Sequence, residues 1–363
     1  MNRIRRKILE FLARLLFGRW ANQIDRVIES VQVAKPEVLL RSVKVRRAVV
    51  ITYNYPAHFD IFFRRTQAFP ERYVFELERA VVLKDRGVIL TADGMILQES
   101  AGTVRRLFRH GSLLDSLTAP VHPLHLQHPC SYLPCKPFYH FLVEEIPAIL
   151  YAWRQAQDLL VLADPPERLP RYYAEALQLI FGNEIAGRMQ IIHGNVSTEH
   201  YMLTQRDSFS TLIHLDDIQL LNQYLLQESF NGLTPPRLYI SRRKAAGRRI
   251  RNEAEVGSML ERNSYQEVFL EDLPLQDQIG LIANCECLVA PHGAGLSHLV
   301  WNPSRRKAVM EIFPSFVRND AFGSLAYTLG YDYGYVVCES RKNEGEYVNL
   351  SRLEKGMSEL GML

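Results

Sequence analysis

Two stretches of the sequence hold side chains whose types and spacing could do chemistry. In Tyr139-His140-Phe141-Leu142-Val143-Glu144 an imidazole and a carboxylate stand four residues apart, which puts both on one helix face, one turn from each other. A carboxylate bonded to an imidazole orients it, and an oriented base is what removes a proton from a hydroxyl. A histidine among aromatic residues also suits a buried structural role, so the pair by itself is open to both readings. Glu145 points to a different face and is the weaker candidate.

The second stretch begins as the apolar strand Cys287-Leu288-Val289-Ala290 and runs directly into Pro291-His292-Gly293-Ala294-Gly295-Leu296-Ser297 and a helical pattern. Glycines let a backbone come close to an anion. Free amides at the next helix start donate to it, and the helix dipole favours negative charge. His292 adds a ring N–H. The result is a phosphate cradle, with a plain tight turn as the structural alternative. Glu311 ends the following strand, where a carboxylate would meet the ribose hydroxyls of a nucleotide lying over the turn; a solvated strand-end glutamate is the competing reading. Arg242, Arg243, Arg248 and Arg249 follow the strand that ends at Ser241, and guanidinium groups bind phosphate bidentately. Most of that basic run is expected to be solvated.

Other candidates fall away on spacing. His122, His125, His128, Cys130 and Cys135 are interrupted by prolines and lack paired metal-ligand spacing, so no metal site is expected. Asp216-Asp217 could clamp a cation and a diphosphate, although acidic residues ahead of a helical stretch more often serve its N-terminus. Asn252-Glu253-Ala254-Glu255 has the form of a capping box, Asn252 as cap and Glu255 answering it. The chain has no Gly-Lys-Ser/Thr phosphate loop, no Gly-x-Ser-x-Gly and no complete Gly-x-Gly-x-x-Gly. These absences argue against a P-loop NTPase, a serine hydrolase and a dinucleotide oxidoreductase.

These residues need elements to position them. A chain of 363 residues exceeds what one core usually supports, so two domains are expected. Strands at 47–53, 80–83 and 87–91, with a turn at Asp93-Gly94, open the first; helices at 138–157, 171–181 and 216–227 follow, with a strand at 189–193. Periodicity stops at 229–236, which reads as a linker. Beyond it strands at 237–241, 267–269, 287–290 and 308–312 alternate with helices at 253–262, 275–283 and 321–329, the pattern of a doubly wound parallel sheet. The expected layout is a basic helix at 1–22, an acceptor-side α/β domain at 23–228, the linker, a nucleotide-binding domain at 237–340 and a tail at 341–363, read as a helix crossing back to the first domain.

A net charge of +3 does not by itself call for nucleic acid, and the basic run 242–251 lacks the interleaved aromatics of a nucleic-acid surface. Five loosely spaced cysteines suit free thiols in a reducing compartment. Met1–Trp20 alternates Ile4, Ile8, Phe11, Leu12 and Leu15 with Arg3, Arg6, Lys7 and Arg14 at helical spacing. That fits a helix lying on an anionic membrane, or one packed on the protein itself. The localisation this implies is cytoplasmic, peripheral on the inner face of the membrane.

Taken in order, Tyr139 to Glu144, Tyr239-Ile240-Ser241-Arg242-Arg243, Arg248 to Glu253, Leu275-Gln276-Asp277-Gln278-Ile279, Pro291 to Leu296 and Glu311 resemble glycosyltransferase family 61 over about residues 135–335. The resemblance implies a GT-B architecture, two Rossmann-like domains facing a cleft. It also implies an inverting mechanism and a nucleotide-sugar donor, a UDP-sugar first, as co-substrate; if arginine, His292 and helix-start amides stabilise the leaving diphosphate, no metal is required. Carried over by position, Ser241, Arg242, Arg249, His292, Gly293, Ala294, Gly295, Leu296 and Glu311 become donor-site candidates and His140 and Glu144 catalytic ones. The basic start resembles the bacterial members tied to capsule and surface polysaccharide synthesis, with a glycan or lipid-linked saccharide as acceptor and a hexosyl or pentosyl group transferred. A non-catalytic scaffold of a polysaccharide assembly complex, binding nucleotide or glycan, is the alternative.

Overall fold

The computed structural model describes residues 39–53, 55–56, 59, 63, 65–84, 87–91, 97, 119–206, 213–226, 235–244, 247, 249–317, 319–341 and 345–363. The helix expected at 1–22, the Asp93-Gly94 turn, positions 229–234 of the linker and Arg248 lie outside them.

The first half opens with β1 (Leu39–Arg46), the pair β2 (Val49–Thr52) and β3 (Thr66–Phe69), β4 (Arg72–Leu77), β5 (Ala80–Leu83) and β6 (Val88–Leu90). After β7 (Val121–Leu124) come β8 (Cys130–Leu133), β9 (Leu160–Ala163), β10 (Met189–Ile191), β11 (Asn195–Thr198) and β12 (Tyr201–Thr204). Its main sheet has the order β1-β4-β12-β8-β9-β10, and a second has the order β6-β5-β11-β7. The main sheet is mixed, not the doubly wound one that the family resemblance implied for this half. From β12 to β10 neighbours are parallel, while β4 and β1 run antiparallel. The reason lies in the connections. Strands that follow one another in sequence can pair in parallel only through a crossover, and β8 to β9, through the helix at 138–155, and β9 to β10, through Arg171–Phe181, have one; β12 then joins β8 after a longer return.

In the second half β13 (Arg237–Ile240), β14 (Gln266–Val268), β15 (Cys287–Pro291), β16 (Ala308–Phe313) and β17 (Asp332–Val337) form one all-parallel sheet ordered β14-β13-β15-β16-β17. Strand alternation sends Leu238, Ile240, Leu288, Ala290 and Val309 to one face and Tyr239, Val289, Met310 and Ile312 to the other. Helices Leu275–Asn284 and Ala321–Thr328 cover the first face, and Glu253–Arg262 covers the second. This sheet is the doubly wound one that the sequence pattern implies.

Three local expectations are corrected. The tail does form a helix, Leu350–Glu359, but Leu353 and Met357 pack on the Tyr239–Val289–Met310 face of the second sheet and not on the first half. Asn252 makes no side-chain cap; its amide grips the backbone of Val348 in both directions, at 2.9 Å each way. The segment after the glycine turn, Ala294–Val300, is a 3-10 helix of seven residues rather than an α-helix. Its short, steeply wound turn weakens the dipole argument for an anion there.

The halves share one apolar core. Phe141, Ile149, Leu177 and Leu221 of the first belong to the same cluster as Leu238, Leu288 and Trp301 of the second. Asn222 stitches the seam: its amide nitrogen donates to Val300 O at 2.7 Å and its carbonyl accepts from Asn302 N at 2.8 Å. Among the described residues no helix is long and apolar enough to cross a membrane.

Candidate functional site

The strand order fixes where a ligand would lie. β13 connects outward to β14 while β15 connects the other way to β16, so the order reverses between β13 and β15. The carboxyl ends of two such neighbours flank a crevice, because their connecting segments part in opposite directions. Ser241-Arg242 leaves the end of β13, and Pro291-His292-Gly293 leaves the end of β15.

Glu253 holds the β13 side. Its Oε1 accepts from the backbone N of Arg242 at 2.7 Å, a partly buried bond, and from the buried hydroxyls of Tyr239 and Ser241 at 2.9 Å each. Burial, with the Glu253 charge behind it, pushes the Tyr239 hydroxyl well above its usual range, so it remains a donor. The arrangement aims the Arg242 side chain across to β15. A Cβ on Gly293 would collide with Arg242 Nη1 and lie 3.3 Å from its Cζ. The φ of Gly293 is 168°, ordinary extended backbone, so glycine is needed here for space and not for conformation. A Cβ on Gly295 would stand 3.3 Å from both Ile240 Cγ2 and Leu270 Cδ1, and Leu296 is wholly buried. Any part played by Leu296 toward a ligand is therefore through its backbone. Arg249 is exposed. Arg243 is paired with Glu267 and Lys244 with Asp272, both cations lying over the Phe269 ring.

His292 is held on the β15 side. Its Nδ1 is 2.5 Å from Glu311 Oε1, and its ring stacks on Phe313 with centroids 5.0 Å apart at 24°. The Tyr333 hydroxyl donates to the other carboxylate oxygen, Oε2, at 2.5 Å. Glu311 is 0% exposed and both its oxygens are used inside the protein. In this arrangement it orients His292 and presents nothing to a ribose, unlike the role its position in the sequence suggested.

The other pair sits on the helix over 138–155, whose middle turn, Phe141–Glu145, is π-helical; such turns recur at functional sites. His140 Nδ1 lies 2.9 Å from Glu144 Oε1, with about a third of each side chain exposed. Glu145 is instead buried in an ion pair with Arg206. The start of this helix is seated against the second half. Phe138 stacks on the His298 ring at 5.0 Å, Tyr139 meets Phe322 edge-on at 5.6 Å, and Phe322 in turn meets His292 at 5.3 Å. The two candidate groups, about 150 residues apart in sequence, are thus separated by the rings of Tyr139 and Phe322.

Sequence reasoning missed three supporting residues. Glu253 was visible only as a first-turn acid beside Glu255. Tyr333 stands in a Tyr331–Tyr333–Tyr335 alternation that marks a strand and nothing more. His298 is wholly buried, and burial lowers its pKa to about 3. The indole N–H of Trp301 can only donate, so His298 Nδ1 accepts it at 2.9 Å and the Nε2–H donates to Gln278 Oε1 at 2.9 Å. Asp217 proves structural: Arg72 and Tyr151 donate to Oδ1 at 2.9 and 3.0 Å, and Arg46 to Oδ2 at 3.3 Å. His214 caps that helix, its Nδ1 accepting from Asp216 N at 3.0 Å. A cavity of 720 Å³ between 44–51 and 214–216 involves none of His140, Glu144, Arg242 or His292.

No curated protein matches the chain. The segment 138–310, just under half of the chain, matches the model of the family described as Glycosyltransferase 61, and Glu311 falls one residue beyond the match. The stretch that carries His140, Glu144, Arg242 and His292 is therefore similar in sequence to the glycosyltransferases of family 61.

Proposed function

We propose that the protein is an inverting glycosyltransferase that moves a hexosyl or pentosyl group from a nucleotide-sugar, a UDP-sugar first, to a hydroxyl of a glycan or lipid-linked saccharide. The setting we propose is bacterial capsule or surface polysaccharide synthesis at the inner face of the membrane, with Met1–Trp20 on anionic lipid. The observation that carries the reading is the Arg242 guanidinium lying on Gly293, next to His292, where the sheet order reverses, with His140–Glu144 two rings away from His292.

The diphosphate would lie along Gly293–Gly295. Arg242 would approach it from β13, and His292, with Nδ1 committed to Glu311, would offer Nε2; in the imidazolium form that nitrogen donates to a phosphate oxygen and Glu311 balances the charge. His140–Glu144 acts as the base. With Nδ1 of His140 bonded to Glu144, the Nε2 lone pair takes the acceptor proton. The acceptor oxygen bonds to the anomeric carbon as the bond from that carbon to the diphosphate oxygen breaks, on the opposite side, so the configuration inverts. The nucleoside diphosphate leaves with the charge that Arg242 and His292 stabilise. Titration calorimetry with UDP, GDP, CMP and TDP, followed by a nucleotide-sugar panel scored by free nucleotide, tests this. Silence in both would sink it.

A further inference from the structure

We infer that Tyr333 is a positioning residue for the donor site, acting through Glu311 on His292; this rests on the nucleotide-binding role proposed above for His292. A carboxylate on a flexible side chain has several rotamers, and an imidazole bonded to it inherits that freedom. Here the freedom is removed at both ends. Tyr333 donates to Oε2 and His292 is held by Oε1, each at 2.5 Å, so the plane of the carboxylate is fixed by two partners, one on the adjacent strand β17 and one just past the end of β15. The register places Glu311 directly opposite Tyr335 on β17, so Tyr333 reaches it from two residues earlier along the strand.

The tyrosine ring is itself fixed. A Cβ on Gly323 would lie 3.1 Å from Tyr333 Cε1, and the rings of Phe59 and Phe63 sit 6.1 and 6.3 Å from it. Phe59 and Phe63 belong to the first half of the chain, so the first half helps to hold the ring that aims a histidine of the second. Burial, with Glu311 next, drives the Tyr333 hydroxyl well above its ordinary range, which keeps it a donor. Tyr333 touches no ligand in this scheme. Its effect reaches the crevice only through His292.

That dependence is the test. UDP, GDP, CMP and TDP are titrated into wild type, Tyr333→Phe, His292→Ala and the double variant, with thermal unfolding of each to establish that it is folded. The hydroxyl should be worth about three- to tenfold in affinity for whichever nucleotide the wild type binds, the range for one ordinary hydrogen bond, since its effect on the ligand is indirect. In the His292→Ala background the same change should cost less than about twofold, since partners in one chain of bonds are not additive. An unchanged affinity for Tyr333→Phe, or an equal loss in both backgrounds, overturns the assignment while leaving nucleotide binding intact. A wild type that binds none of the four overturns the nucleotide reading and the assignment with it. Should Tyr333→Phe not fold, Glu311→Gln carries the cycle: an amide with one acceptor and one donor end replaces the carboxylate that Tyr333 and His292 share, and a loss that persists in full without His292 again overturns the relay.

Discussion

The guanidinium of Arg242 occupies the space that a side chain at position 293 would need. Two strands, β13 and β15, thereby meet through an arginine head lying on bare backbone at the point where a doubly wound sheet receives its ligand. Gly293→Ala should push that head aside with little loss of fold, because only the end of a flexible side chain must move. We expect donor affinity to fall about tenfold or more, the scale of one charge-assisted contact, with a thermal midpoint within a few degrees of wild type. Calorimetry and a melting curve on the same sample check both halves.

His140→Ala and Glu144→Ala should each lower kcat by about a hundredfold or more and leave nucleotide affinity nearly unchanged, as expected when a base is lost and the leaving-group site is kept. The double variant should be little worse than either single one, because the two side chains form one hydrogen-bonded unit. Wild-type rates in either single variant, measured with a working donor and acceptor, would remove the pair from the chemistry.

Glu253→Ala strips the acceptor from three donors at once, two buried and one partly buried. Each orphaned donor costs on the order of 1–3 kcal/mol, so a loss of roughly 3–5 kcal/mol in urea unfolding is expected after partial relaxation. The same variant frees the Arg242 backbone and should weaken donor binding; Glu253→Gln, which keeps one acceptor oxygen, should do less on both counts.

His298 gives the protein a pH dependence. Its folded pKa, about 3, lies below the unfolded value of about 6.5, so the unfolded chain takes up the proton first. Its contribution is therefore fully present above pH about 6.5 and is lost as pH falls toward 3, by up to about 1.4 kcal/mol per pH unit. Urea midpoints at pH 7 and pH 5 should separate less in His298→Gln, which can still accept from Trp301 and donate to Gln278. Equal separations would show that other groups set the slope.

Gly323→Ala should destabilise by about 1–3 kcal/mol through overpacking, since its Cβ would stand 2.6 Å from Phe63 Cε1 and 3.1 Å from Tyr333. Trimming Phe63 to Leu in the same chain should recover part of the loss; a melting curve for the pair decides.

The sequence alone determined what local patterns can encode. Alternating strands and helices after residue 237 specified the parallel sheet, because period and crossover length leave few other solutions. The spacing of His140 and Glu144 specified their hydrogen bond, because four residues make one helical turn. The same logic failed where partners are remote. The first half's mixed sheet depends on which strands find each other, and its edges carry no such period. The sequence pattern puts Glu311 at the end of its strand; β16 instead runs on to Phe313, and Tyr333 on β17 and His292 just past β15 take both its oxygens, which turns an expected ligand contact into a buried support. Arg242, Gly293 and the distant His140–Glu144 pair came together only through the strand order and the rings of Tyr139 and Phe322. Short-range geometry is written in the covalent chain, whereas the direction in which a side chain spends its hydrogen bonds is set by whatever the fold packs beside it.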